Sequence, residues 1–407
     1  MSTIIGSSSR HSRGLHRTCT AAVSFVRKSH LKHWAAFRLV CRRALFTVLA
    51  LESSADDTCA AVVTSSRQIL SNVVVKQHDL HEGFGGIHPT VAIEAHQRNM
   101  PGAVRRALEN AKLTMQDIDG IAFTRGPGIG GCLSVGSNAA KCLAAALNKP
   151  LIGVHHMQAH ALTPLLTAPA DRIPEFPFIT LLISGGHTLL LLATSQTSFD
   201  VLATTADESV GRSFDKVARL LGLSWGTRGP GAALEDFCRR DIASVPDVGS
   251  FPVPMAGKLA FSYSCLHSSI ERYLAGTQGP LTEGHRVALA RAFQDAAARQ
   301  LCEKLTLGLE RLSLRNINPR HVVVSGGVAS NLFLRTRLRA ALDVYSPDVR
   351  IELVFPPLEL CTDNAVMIGW AAMHRFTSGD YDDYSIDLRA KWDISTISDA
   401  NSCASRA

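Results

Sequence analysis

Apolar positions recur along this chain in two patterns: short unbroken runs set around polar turns, and longer stretches with helical spacing. The first pattern opens at "LFTVLALESSADDTCAAVV", where two apolar runs flank a turn holding Asp56 and Asp57; this predicts a hairpin. The same plan returns at "FPFITLLISGGHTLLLLAT", whose turn is Ser184, Gly185, Gly186, His187 and Thr188. Two such openings in one chain predict an α/β fold of two duplicated lobes with a cleft between them, against one large α/β sheet as the alternative.

Helical spacing fills the intervals. "HPTVAIEAHQRNMPGAVRRALENAK", "SVGSNAAKCLAAALNK" and "GHRVALARAFQDAAARQLCEKLTLGLERL" predict helices, and "GRSFDKVARLLG" predicts a helix carrying Asp215. "IDGIAFTRGPGIGGCLSVG" reads as a buried strand feeding a glycine-rich loop, "HVVVSGG" as a strand before a helix opening at "VASNLFLRTRLRAAL", and "IELVFPP" as a strand leading through "CTDNAV" into a last helix. Composition turns polar near the end and predicts a disordered tail over 391–407.

Charge changes the picture only after it is divided. The chain has 407 residues and a formal charge of +7. Nine of its 42 Lys and Arg residues lie in the first 51 positions, which hold no acid; the remaining 33 basic residues face 35 acidic ones, so the rest is near neutral at −2. An Arg-, Ser- and His-rich opening with loosely helical apolar residues predicts a mitochondrial transit peptide over 1–44; a basic arm that touches nucleic acid is the alternative. No apolar run is long enough for a membrane span. The ten cysteines form no CxxC pair, which leaves a zinc ribbon unsupported.

Three loops, 124–136, 182–188 and 324–331, have glycines that would let backbone amides approach an anion, but none is a Walker loop. In "GVHHMQAHAL", His156 and His160 stand four apart and share a helix face. They are either satisfied core histidines or ligands of one metal. A zinc peptidase would place its base directly after the first histidine, where this chain has Met157, and the nearby Gln158 cannot take up a proton. Asp363 in "CTDNAV" is the third ligand candidate, or else the N-cap of the helix after it. Two histidines and a carboxylate suit Zn²⁺ or Fe²⁺ acting as a Lewis acid. For Asp215 the plain reading is a solvated helix face. His155 is off the shared face.

Taken in order, "LALESSADDT", "QHDLHEGFGGIHPTVAIEAH", "TRGPGIGGCLSVG", "VHHMQAH", "LLISGGHT", "SFDKVARLLGL", "AFQDA", "VSGGVASN" and "CTDNAVMIGW" resemble the tRNA threonylcarbamoyladenosine transferases, over roughly residues 48–375. With the leading basic segment, the chain looks like an organellar, mitochondrial-type member. The resemblance implies an actin-like, hexokinase-like (ASKHA) fold of two ribonuclease H-like lobes, with lobe I over 45–155 plus about 370–390 and lobe II over 156–369. It implies transfer of a threonylcarbamoyl group from threonylcarbamoyl-AMP to N6 of adenosine 37 in tRNAs reading codons that begin with A, in the mitochondrial matrix, by a homodimer.

Carried over by motif, His156, His160 and Asp363 would hold one divalent metal ion per subunit, Fe²⁺ or Zn²⁺. Leu182, Ile183, Ser184, Gly185, Gly186, Asp215, Gly229 and Asn331 would hold the adenylate. Glu52, Asp56 and Asp57 are candidates to assist catalysis or order the cleft. The family has Glu at Gln158, an acid at Arg212 and a shorter turn than "SWGTRGPG". A metallopeptidase, a small-molecule kinase of the same superfold and a non-catalytic scaffold are the rival readings. "RNINPR" (315–320) and "RTRLR" (335–339) are candidate tRNA contacts.

Overall fold

Strand β1 (Thr47–Glu52) and strand β2 (Thr58–Thr64) are apolar runs buried along nearly their whole length, as strands covered on both faces must be. They pair antiparallel from Thr47 opposite Thr64 to Glu52 opposite Cys59, and β3 (Ile69–Val75) extends the meander. β4 (Gly120–Gly126) and β5 (Leu151–His155) then add in parallel beside β1, giving the order β3-β2-β1-β4-β5.

The second sheet repeats this. β6 (Phe178–Ile183), β7 (Thr188–Ala193) and β8 (Phe199–Thr204) form an antiparallel meander, and β9 (His321–Ser325) and β10 (Glu352–Val354) lie parallel beyond β6. Its order, β10-β9-β6-β7-β8, is the first sheet's order with each strand in its equivalent place. The fold is therefore α/β and duplicated, as the two hairpin openings predict, and actin-like, as the family resemblance implies. β3 and β8, the edge strands of each meander, were not read from the sequence. "ILSNVVV" and "FDVLAT" mix polar and apolar residues because edge strands are only half covered.

This computed structural model describes residues 45–225, 228–277, 279 and 281–397. The predicted transit peptide over 1–44 lies outside the described residues. From Phe46 onward the chain forms one compact unit holding both sheets. Alternation along the strands divides its core. Leu49 and Leu51 of β1 face α1 (Pro89–Ala111) and α2 (Gly130–Ala146), whereas Val48 and Ala50 face a core shared with Phe178, Leu182 and Val323 of the second sheet. Within that shared core lie α3 (His156–Thr167), which carries the histidine pair, and α9 (Ala365–Ser378), which follows Asp363. The outer face of the second sheet is covered by α4 (Val210–Leu220), α5 (Pro230–Cys238), α6 (Ser264–Gly276), α7 (Glu283–Ser313) and α8 (Leu332–Tyr345).

Two boundaries differ from expectation. Helix α2 begins at Gly130, inside the predicted glycine loop. A Cβ on Gly131 would sit 2.3 Å from Ile93 of α1, and one on Gly128 would sit 2.7 Å from the Ser54 carbonyl. These glycines allow close packing, so the loop's composition has a structural cause apart from any anion. The predicted disordered tail is also corrected in part. Residues 391–397 are ordered, because Ile394 and Ile397 are buried in the shared core and Trp392 packs against it. Residues 398–407 lie outside the described residues.

Candidate metal centre

The histidine motif begins where β5 ends. His155 is the N-cap of α3: its Nδ1 accepts from the amides of Met157 at 3.1 Å and Gln158 at 3.4 Å, and its Nε2 donates to the Trp392 carbonyl at 3.1 Å. Burial pulls its pKa down to about 3, so the ring stays neutral in this tautomer. The odd histidine of the motif thus fixes the helix that carries the other two.

One turn apart on α3, His156 and His160 meet Asp363. Asp363 Oδ1 lies 3.3 Å from His156 Nε2 and 3.1 Å from His160 Nε2. Both rings are buried, with centroids 4.8 Å apart. The N-cap of α9 is Asn364, whose side chain accepts from the Met367 amide at 2.9 Å, and this frees Asp363 to face the histidines. The alternative cap role for Asp363 is thereby removed.

Behind His156 stands Glu52, wholly buried at the end of β1. Its Oε2 lies 3.1 Å from His156 Nδ1, and its Oε1 accepts from the Ser54 amide at 2.5 Å. Thr124 of β4 donates its hydroxyl to the other carboxylate oxygen. Glu52 is thus fully committed to orienting an imidazole.

Burial alone would keep His156 neutral, but the carboxylates of Glu52 and Asp363 reverse this and raise its pKa to about 10. Asp363, in turn, is held well below the usual carboxylate range: burial opposes this, and the histidines outweigh it. A buried carboxylate and a half-buried one bridged by one imidazole favour a cation at their centre, whether proton or metal. The donor set of two Nε2 atoms and a carboxylate, converging within 4.8 Å, fits a divalent metal with open positions. His160, pulled down by burial, is neutral and can offer a lone pair.

The other expected residues border this centre unequally. Asp56 and Asp57, in the β1–β2 turn, both feel the charge of Asp363. The β6–β7 turn reaches it through His187, whose pKa falls to about 4 through burial and then the nearby His156 and His160. Sequence reasoning quoted His187 without giving it a place; a histidine following SGG at a strand end was the available signal. Gly185 and Gly186 are exposed, and a Cβ on either would meet nothing within 4 Å, so this tip has room for a ligand. Leu182 and Ile183 are core residues of β6, which leaves only their backbone to face a ligand.

Asp215 is not a solvated helix position. Burial, then Asp56 close by, raise its carboxyl to about 7 against the opposing pull of Arg219. Gly229, at φ +84°, brings the start of α5 within 3.4 Å of the His78 ring, measured from the Cβ it lacks. Asn331 is buried and caps α8, accepting from the Leu334 amide at 3.1 Å. That helix opens at Leu332, later than the sequence suggested.

Gln158 turns away from the centre and donates to the Gln196 carbonyl at 2.8 Å. Along the sequence, no carboxylate therefore stands between His156 and His160. The "RTRLR" patch is also spent internally. Arg335 bonds the Ala329 carbonyl, Arg337 pairs with Asp295, and Arg339 pairs with Asp343.

Comparison with known proteins decides the family. The profile described as "TsaD: tRNA N6-adenosine threonylcarbamoyltransferase" matches residues 68–370. The chain belongs to this family. The mitochondrial tRNA N6-adenosine threonylcarbamoyltransferase of Schizosaccharomyces pombe is 38% identical over 86% of this chain and 87% of its own length. The tRNA N6-adenosine threonylcarbamoyltransferase of Paramagnetospirillum magneticum is 38% identical over 85% and 96%, and a probable mitochondrial one of Arabidopsis thaliana is 38% identical over 85% and 74%. Among solved structures, HypF of T. kodakarensis aligns with a TM-score of 0.51 at 16% identity, over 82% of this chain and 48% of that one. That likeness concerns the fold alone. Among the described residues, no helix is long and apolar enough to cross a membrane.

Proposed function

We propose that this enzyme transfers the threonylcarbamoyl group of threonylcarbamoyl-AMP to N6 of adenosine 37 in mitochondrial tRNAs that read codons beginning with A. It does so in the matrix, as a homodimer, with one Fe²⁺ or Zn²⁺ per subunit. The observation that carries this reading is the convergence of His156, His160 and Asp363 on one point, in a member of the threonylcarbamoyltransferase family.

His156, His160 and Asp363 would hold the ion, which when bound supplies Lewis-acid polarisation of the acyl oxygens. Glu52 keeps the His156 ring turned so that Nε2 faces the centre. The open tip at Ser184, Gly185 and Gly186 leaves room for backbone contacts to the adenylate, which Asp215, Gly229 and Asn331 would also hold. As the N6–carbon bond forms, the bond from that carbon to the phosphate oxygen breaks. AMP leaves with the electron pair, and a proton from N6 is released.

The peptidase reading fails because Met157 stands where its base would be and Gln158, engaged with Gln196, cannot take up a proton. A kinase of the same superfold would have no use for paired histidines fixed by Glu52. The test supplies threonylcarbamoyl-AMP and unmodified tRNA to the metal-loaded protein and seeks modified adenosine by mass spectrometry. Formation of threonylcarbamoyladenosine with release of AMP is expected. A folded, metal-loaded protein that leaves adenosine unmodified overturns the reading, and phosphorylation of a small molecule from ATP would install the kinase instead.

A further inference from the structure

Beside the first centre lies a second set of ligand-type side chains that the mechanism leaves without work. Ligand atoms of Asp56, Asp57 and His78 all lie within 4.8 Å of one another. His78 Nε2 stands 3.9 Å from Asp56 Oδ2. Asp57 is 6% exposed, and its Oδ1 is buried with no hydrogen-bond partner. The Nδ1 of His78 is likewise buried and unpartnered. The bare, buried Asp57 Oδ1 carries a desolvation cost of about 1–3 kcal/mol, which a bound cation would remove.

The cluster is held from outside. His96 Nε2 donates to the Ala55 carbonyl at 3.0 Å and its Nδ1 accepts from the Thr58 hydroxyl at 2.7 Å, while burial keeps it neutral. Those two bonds fix the residues on either side of Asp56 and Asp57. Gln77, which precedes His78, donates to the same Thr58 hydroxyl at 3.2 Å. The donors therefore stand on a braced turn, as a metal site requires.

We propose that Asp56, Asp57 and His78 bind a second divalent cation next to the one held by His156, His160 and Asp363. Two carboxylates and one imidazole suit Mn²⁺, Fe²⁺ or Zn²⁺ better than Mg²⁺ or Ca²⁺, which favour all-oxygen shells. The Gly229 turn packs over the His78 ring, with the position of its missing Cβ 3.4 Å from Cε1. An anionic group of a ligand lying along that turn would complete the coordination. The Asp56 charge that raises Asp215 would be offset by the same ion.

The test counts bound Mn²⁺ on the metal-stripped full chain by electron paramagnetic resonance and calorimetry, and needs no assay of transfer. Two ions per wild-type chain are expected. His78→Ala should bind one, and His156→Ala/His160→Ala should also bind one. Asp56→Asn, which keeps the side-chain volume, should repeat the His78→Ala count in a protein with wild-type circular dichroism. Saturation of the wild type at one ion, or two ions retained by His78→Ala and Asp56→Asn alike, overturns the proposal. Because the count is independent of chemistry, it can fail while the transferase reading stands, and the reverse.

Discussion

Each half of the molecule places a turn between its first two strands, at equivalent points of a duplicated sheet, and the two turns have become opposites. In the β1–β2 turn, Glu52, Ser53, Ser54 and Asp57 are all buried, and three of the residues from 52 to 57 are acids. In the β6–β7 turn, Gly185 and Gly186 are exposed and the residues from 184 to 187 include no acid. Both adjoin the His156–His160–Asp363 centre, one through Asp56 and Asp57 and the other through His187. Duplication supplied two copies of one tip; charge and burial suit one to cations and leave the other open to an anion. A two-sided cleft of this kind suits a substrate that carries an acyl group at one end and a phosphate at the other.

The largest effect should come from breaking the cation side at its centre. His156→Ala/His160→Ala removes two ligands, so metal at that site is lost and transfer falls by more than the ~100-fold that loss of a mere supporting residue costs. Metal content and modified adenosine, both measured by mass spectrometry, check this. Full activity in the double variant would remove the centre from the mechanism.

Next in size is Glu52→Gln. It keeps the shape behind His156 but removes the charge that holds the ring, so affinity at the first centre should fall about 10–100-fold in competition with a chelator. An unchanged affinity would return Glu52 to the status of a buried strand residue that happens to face a histidine.

How much of this was legible beforehand follows from the kind of signal each residue leaves. The duplicated hairpins and the HxxxH pair could be read because strand alternation and helix periodicity are local. Asp363 could be nominated, but its freedom from capping became visible only when Asn364 was seen to bond Met367. Glu52 could be listed among three acids, yet its partnership with His156 spans 104 positions and no local pattern encodes it. His78 left no signal at all, because its meaning depends on Gly229, far along the chain, packing against it. The burial of Asp215 was not legible, since a helix's sequence does not reveal that Gly231, at the start of α5, packs against it.

Asp215 also offers a smaller, pH-dependent test of where the anion side meets the cation side. Its carboxyl titrates at about 7 in the fold against the ordinary 3.8 when unfolded. Between those values the folded state keeps a proton that the unfolded chain has lost, so stability drops as pH rises through the window and stays lower above it. Asp215→Asn cannot ionise. It should match the wild type at about pH 4 and exceed it by about 2 kcal/mol at about pH 8, roughly half the full conversion at ~1.36 kcal/mol per unit, given partial solvation of the cleft. Urea denaturation at the two pH values reads the difference, and equal gains at both would assign the effect to packing.

The smallest expected effect isolates the glycine turn. Ser209 caps α4, accepting from the Arg212 amide at 3.3 Å, and donates its own hydroxyl to the Gly185 carbonyl at 2.5 Å. One hydroxyl therefore ties the helix bearing Asp215 to the open tip. Ser209→Ala should lower stability by about 1 kcal/mol, the usual cost of a lost cap. It leaves every residue of both proposed cation sites in place, so metal content should not change. The KM for threonylcarbamoyl-AMP should rise while kcat holds, because a tip freed from α4 must be ordered by the substrate each time it binds. Loss of metal in this variant would show that the two turns are mechanically one unit and that the division of labour between them is wrong.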